Sequence, residues 1–475
     1  MSARLLNKNL AGSVCRPVIV EKPLTDCSTI STVKFLIHPR PIETEHTVAR
    51  NRLNDESTPA GQVGDASARK GFWERMGPGL IISASFIGPG TITTATVTGS
   101  SYGYALAWAI AFSIVATIIL QEMSARLGIA TGQGLGEALR STFQHPVPRI
   151  GMIVLIVAAI GIGGASYAGG DTTGTALGLS GLTGLPPKLL VVVVGLIIFG
   201  LLITGSYKVI ERALVVMVAV LAAVFFLTMI VVKPDIGAIL RGTFAPTIPT
   251  GALLTTIALI GTTVVPYNLF LHANLAQAKW GGLPKDRAIR DAKQDTIISI
   301  AIGGAITLAI MITAAAAMWT KGVTAESGAD MATQLEPLLG AAAPYVFALG
   351  LFAAGLTSAV AGPLGAAYAI CGVMGWGSDL RSPRFRAVWI AVMGIGMVIA
   401  LTGVNPIQVI ILAQAANGLL LPIVAGFLLV VMSRTSVLGK YKNGPIATIL
   451  GVVIFIVVTG LAVYQFADIF GMLPE

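Results

Sequence analysis

Thr91, Thr93 and Thr94 follow Gly88-Pro89-Gly90 inside one apolar run, and Thr262 and Thr263 precede Val264-Val265-Pro266-Tyr267 inside another. Threonine hydroxyls are neutral oxygen ligands or hydrogen-bond groups. Here they stand beside residues that interrupt a helix, because glycine weakens it and proline removes a backbone donor. Carbonyls released in this way need partners, and at membrane depth such a break persists only where it faces protein or a water-filled cavity. One interruption alone is as often a simple kink. Two in matching places point to a binding site between broken helices. The expected lining is Gly88, Gly90, Thr91, Thr262, Val265 and Tyr267, around a solvent-reachable pocket, with the hydroxyls of Thr91 and Thr262 as oxygen ligands or hydrogen-bond groups.

Asp171, in GGASYAGGDTTGTALG, is the acidic residue furthest inside an apolar segment. A carboxylate there is costly in lipid, so it should face the bundle interior and be protonated, paired or ion-binding. The plainer alternative is a helix contact near the outer interface. His272 lies five residues after Tyr267 and is the one histidine of four within an apolar segment. It either relays protons or bonds a neighbouring helix. Gln414 and Asn417, in ILAQAANGLLLP, either reach the site or bridge helices. Glu122 and Glu211 are expected to pair with Arg126 and Arg212 near segment ends. The chain has no GxxxxGK[ST] loop, HExxH or paired-cysteine motif. ATP-driven or enzymatic chemistry is therefore not expected, and neither is a cofactor.

The elements that must carry these residues are membrane spans. The chain has 475 residues, 55% hydrophobic and 11% charged, with a mean hydropathy of +0.82, which excludes a soluble domain. Its net charge of +9 does not imply nucleic acid, because most basic residues flank apolar segments. The 3 cysteines have neither metal-ligand nor disulfide spacing. Eleven segments are long enough to cross a bilayer, at about 77–99, 104–124, 150–180, 188–205, 209–232, 251–277, 294–319, 342–374, 385–403, 405–432 and 446–468. With the N-terminus cytoplasmic, only Lys188, Lys233, Arg241 and Lys321 fall outside, against 16 basic residues in inner loops, so the C-terminus is expected outside a cell membrane. Spans one and six then run in opposite directions, each broken near its middle. This predicts an all-α inverted repeat of five plus five spans, about 77–232 and 251–432, with one further helix at 446–468. Residues 1–70 read as a disordered polar tail, followed by an interfacial approach at Gly71–Arg75. No obligate protein partner is evident.

Five stretches carry a family resemblance: GPGLIISASFIGPGT, LQEMSARLGIATGQGLGEALR, GTTVVPYNLFLHANLAQ, GLTSAVAGPLGAA and ILAQAANGLLLP. From about Gly77 onward the chain resembles the Nramp family of divalent metal transporters. The resemblance implies a LeuT-type fold that imports Mn²⁺ or Fe²⁺, usually with protons. His272 matches the second histidine of the family's sixth helix, Asp171 an acidic position linked to proton movement, and Gln414 a glutamine of the tenth. Thr262 falls where the family offers a backbone carbonyl. The metal ligands depart from the pattern: Gly88 replaces an aspartate, Thr91 an asparagine, Val265 a methionine and Tyr267 a histidine. Thioether sulfur favours softer transition ions, and a carboxylate offsets their dehydration. Without both, a partly hydrated ion such as Mg²⁺, which gives up water reluctantly, is the better expected cargo. This is similar to the magnesium-transporting relatives of Nramp. A symporter of a small organic solute such as an amino acid is the alternative, since a helix break can receive a substrate carboxylate. A sensor derived from a transporter is the third, and no long soluble domain supports it.

Overall fold

A computed structural model describes residues 77–204, 208–470 and 472, leaving out the side chains of 208–213. The expected tail at 1–70, the approach at Gly71–Arg75 and the Glu211–Arg212 contact lie outside the described residues. Two half-helices open the bundle, α1 (Pro78–Phe86) and α2 (Pro89–Tyr102), followed by α3 (Ala107–Thr131), the short α4 (Leu135–Thr142) and α5 (Pro146–Thr183). Then come α6 (Pro187–Thr204), α7 (Lys208–Val231) and the short α8 (Ile236–Phe244). A second pair of half-helices follows, α9 (Leu253–Thr263) and α10 (Pro266–Trp280), and then α11 (Lys285–Ala317). The last four are α12 (Ala343–Met374), α13 (Pro383–Leu401), α14 (Pro406–Met432) and α15 (Pro445–Ile469). Among the described residues, ten helical spans are long and apolar enough to cross a membrane, and the bent pair α1–α2 makes up to 11. Every expected apolar segment overlaps one of them, although several helices run beyond the expected bounds, as Pro146–Thr183 does beyond 150–180. The described residues form no strand.

Local chemistry sets the helix starts. Pro78, Pro89, Pro146, Pro266, Pro383, Pro406 and Pro445 stand at first positions, where a missing N–H costs nothing. At Pro89 and Pro266 the same residue also ends the helix before it, so each break is a stop and a start in two residues. The turn at 87–88 bends α1 from α2 by 53°.

α5 packs against α12, α13 and α14. Its glycines permit the approach. A Cβ on Gly164 would meet Ala366 of α12 at 3.1 Å, one on Gly169 the carbonyl of Gly396 of α13 at 2.9 Å, and one on Gly170 Ala413 of α14 at 3.0 Å. Small residues at such crossings replace the missing hydrophobic drive between helices in lipid.

Polar contacts mark the two ends. At one, Lys285 donates to the Ala130 carbonyl, Gln277 to Gly132, Arg126 to Tyr441 and Arg140 to Val373. Arg126 also pairs with Glu122 at 2.9 Å, as the sequence suggested. At the other, Tyr102 donates to Gly251, Trp108 to Thr247 and Gln334 to Thr96.

Candidate functional site

The two breaks touch. The hydroxyls of Thr91, on the first turn of α2, and Thr262, on the last turn of α9, lie 2.7 Å apart. Thr91 donates its proton to the Phe86 carbonyl at the end of α1. Thr262 is therefore the donor between the two, and both oxygens keep a lone pair.

The other released carbonyls of α1 are held by hydroxyls too. Ser358 of α12 donates to the Ser85 carbonyl at 2.7 Å, Tyr167 of α5 donates to the same oxygen at 3.2 Å, and Ser85 lies 2.8 Å from the Ile82 carbonyl and 3.0 Å from Asn268 Oδ1. The break thus closes as a ring of exchangeable oxygens rather than against lipid. An entering ion can replace these bonds without leaving a carbonyl bare.

Gly88 fixes where charge enters this ring. A Cβ there would sit 2.7 Å from Ser358 Oγ and 3.2 Å from Asp171 Oδ1. The space that a side chain on the α1–α2 break would fill is bounded by the Ser358 hydroxyl of α12 and, next to it, the Asp171 carboxylate of α5. Asp171 is fully buried, and neither of its oxygens has a hydrogen-bond partner within the protein. A buried carboxylate in this condition is costly unless a proton or cation joins it.

The remaining expected residues divide. Gly90 is covered by the Gln414 amide, whose Oε1 would lie 3.0 Å from a Cβ there; both polar atoms of that amide lack protein partners. Tyr267 packs edge-on against Tyr167, with ring centroids 5.2 Å apart, and its hydroxyl has no partner. Val265 is buried at the start of α10 and offers only methyl groups. His272 is held elsewhere, with Nδ1 3.0 Å from Gln121 Oε1 of α3 and Nε2 unpartnered. It stands seven residues along α10 from Val265, roughly 10 Å of helix rise. Asn417 points to α5, its Oδ1 2.9 Å from the Cβ position of Gly163. All these side chains are buried, so the gap is closed to solvent in this conformation, unlike the open pocket expected from the sequence.

Three contributors escaped the sequence reading. Tyr167 lies one turn before Asp171 on the same face of α5, a spacing that marks it as a neighbour of that carboxylate. Ser358 lies in the GLTSAVAGPLG stretch but carries no local signal. Asp295 of α11 accepts the amide N–H groups of Gly77 and Gly79, both at 2.7 Å, and so caps α1 from a helix far along the chain. No group of three His, Cys, Asp or Glu that could hold a metal occurs among the described residues. The donor set is one carboxylate with hydroxyls, carbonyls and an amide, all hard oxygens.

This architecture has known counterparts. Residues 79–468 match the model of the family described as Nramp, natural resistance-associated macrophage protein-like. The divalent metal cation transporter MntH of Verminephrobacter eiseniae is 30% identical over 375 residues, covering 77% of this chain and 83% of that protein. A point mutant of the Eremococcus coleocola manganese transporter superposes with a TM-score of 0.69 at 21% identity, over 88% of this chain and 92% of its own. MhsT in complex with L-phenylalanine superposes at 0.54 and 17% identity, over 82% and 97%. These likenesses carry the fold: a LeuT-type arrangement of five plus five helices with one more. With four fifths of its length matched by the family model, the chain belongs to the Nramp family.

Proposed function

We propose that this protein is a secondary transporter that moves a divalent metal cation through the membrane by alternating access. The ion is held between the 87–88 and 264–265 breaks. The observation that carries the reading is the unpartnered, buried Asp171 carboxylate beside Gly88, at the ring of hydroxyls that includes Thr91 and Thr262. A divalent ion about 4 Å from one carboxylate gains on the order of 8 kcal/mol at an effective dielectric of 20, twice the gain of a monovalent ion. That is enough to offset the removal of some waters, but not a whole shell.

The donor set favours a hard, partly hydrated ion, with Mg²⁺ ahead of Mn²⁺, because Val265 supplies no thioether. The relatives named for manganese or divalent metals support the cargo class. Proton linkage rests on Asp171, which takes a proton or an ion but not both, with His272 as a separate group on α10. The first repeat runs through α7 and the second from α9 to α14. The N-terminus lies in the cytoplasm and the C-terminus outside, as the basic loops favour.

Uptake of Mg²⁺ and Mn²⁺ into proteoliposomes, measured separately, tests the reading. The expected result is saturable Mg²⁺ flux exceeding that of Mn²⁺, reduced at least about tenfold by Asp171→Asn, which removes a charge-assisted contact. A carboxylate-bearing organic solute is the rival cargo, and Asp171 in the same gap would repel it. Absence of flux for both ions, together with uptake of an amino acid, would transfer the assignment to that rival.

A further inference from the structure

An open cavity lies at the end of the bundle where α4, the turn into α5 and the last residues of α12 meet. It has a volume of about 550 Å³ and is lined by Arg140, Arg149, Glu137, Gln144 and the glycine-rich turn at Gly375 and Gly377. It is separate from the ion site, since none of its lining residues belongs to the ring around Gly88.

We propose that this cavity binds the phosphate of an anionic phospholipid. Arg140 is held rigidly: one nitrogen donates to the Val373 carbonyl at 2.9 Å, and its guanidinium lies across Gly375, where a Cβ would meet Nε at 2.6 Å. Gly375 also has φ +72°, a left-handed backbone that glycine adopts without strain. The remaining donors of Arg140 are pre-positioned at the cavity.

Neither Arg140 nor Arg149 lies within ion-pair distance of a carboxylate among the described residues. Glu137 stands on the same wall outside ion-pair distance of both, with its Oε2 accepting the Gly134 amide at 3.3 Å, so it offsets one of the two positive charges through space without occupying the donors of either guanidinium. Two guanidinium groups facing one cavity with a single carboxylate on its wall leave a net positive charge and free N–H groups, which suit a phosphate whose oxygens accept paired N–H groups from each. The turn that closes the cavity and the helix after it add Arg381, Arg384 and Arg386 against Asp379.

The surroundings make the anion a lipid rather than a soluble phosphate. The helix end that carries Arg149 is apolar at its surface: Val147 and Ile150, in the same first turn, are 73% and 61% exposed, as a helix end set among lipid would be. Trp376, in the closing turn, lies under Arg384 at 5.8 Å, an aromatic and basic pair of the kind found at headgroup depth. Basic pockets between spans on the cytoplasmic side are built for anionic headgroups.

Native mass spectrometry of the delipidated full-length protein, titrated with phosphatidylglycerol or phosphatidylcholine, tests this. Wild type is expected to retain phosphatidylglycerol about five- to tenfold more strongly than phosphatidylcholine. Arg149→Gln, which disturbs none of the packing that fixes Arg140, is expected to abolish that preference. Arg290→Gln, an equal loss of charge elsewhere, is expected to keep it. Equal retention of the two lipids by wild type, or equal loss in both variants, would overturn the proposal. Displacement of phosphatidylglycerol by millimolar inorganic phosphate would also overturn the lipid assignment and make soluble phosphate the ligand.

Discussion

At the scale of single residues, Gly88 and Asp171 act as one unit. The first keeps space at the break by having no side chain, and the second extends a carboxylate into it from another helix. Gly88→Ala places a methyl 2.7 Å from Ser358 Oγ and 3.2 Å from Asp171 Oδ1, so one neighbour must move. Proteoliposome uptake should fall at least about tenfold, as expected when a well-packed site is overfilled by a kcal/mol or more. Adding Ser358→Gly to that variant should restore part of the loss, because the two residues share the contact and their effects cannot be independent. Gly88→Asp should be worse than Gly88→Ala in the absence of ion, since it sets a second carboxylate beside the first. Thr91→Val keeps the shape but leaves the Phe86 carbonyl and the Thr262 hydroxyl without this partner. It should lower stability by about 1–3 kcal/mol in chemical denaturation. A smaller loss for Thr91→Val than for the neighbouring Thr98→Val, which removes only a bond within α2, would mean that the ring is not what holds the break.

At the scale of helices, α1 is a nine-residue piece held at both ends by other elements. Its last carbonyls accept hydroxyls from α12, α5 and α2, and its first amides are capped by Asp295. Ser83, past the middle of α1, adds a bond to the Ser299 carbonyl at 2.7 Å, so two positions one turn apart on α11 hold the start and the body of α1. A helix this short has little stability of its own, and its place depends on these tertiary bonds. Asp295→Ala leaves two amides in a buried setting without acceptors, and Gly79 already approaches the carboxylate so closely that no Cβ would fit. The start of α1 should then detach more often. A cysteine in place of Ser83, which is 2% exposed, should be alkylated several-fold faster in the Asp295→Ala background. Equal labelling rates would show that the cap does not hold the helix. Asn at position 295 should fall between the two, because it retains one acceptor oxygen.

At the scale of the whole bundle, the inverted arrangement brings together pieces far apart in the chain: α1 and α2 meet α9 through Thr91 and Thr262, 171 positions apart. Its direction in the membrane is set by loop charge rather than by packing. A cysteine at Gln133, between α3 and α4, should react with an impermeant maleimide only from the cytoplasmic side. One at Thr324, beyond α11, should react only from outside, in a background without the native cysteines. Reaction of both from one side would contradict the alternation of spans. On the function proposed above, the closed gap is one state of the bundle, and an ion would enter when the breaks part on one side at a time.

The sequence by itself determined the spans and the two breaks, because these depend on local chemistry: apolar length and the positions of proline and glycine. It also singled out Asp171, since a carboxylate deep in an apolar run is conspicuous without any neighbours in view. It did not reveal that Asp171 fills the space left by Gly88, that Ser358 and Tyr167 hold the α1 carbonyl, or that Asp295 caps α1. Each of those facts is a distance between helices with no sequence proximity, fixed by how closely the α5 glycines let α12, α13 and α14 approach. Hydropathy places a helix in the membrane, but only side-chain packing sets its rotation and depth, and the site is made of those two quantities.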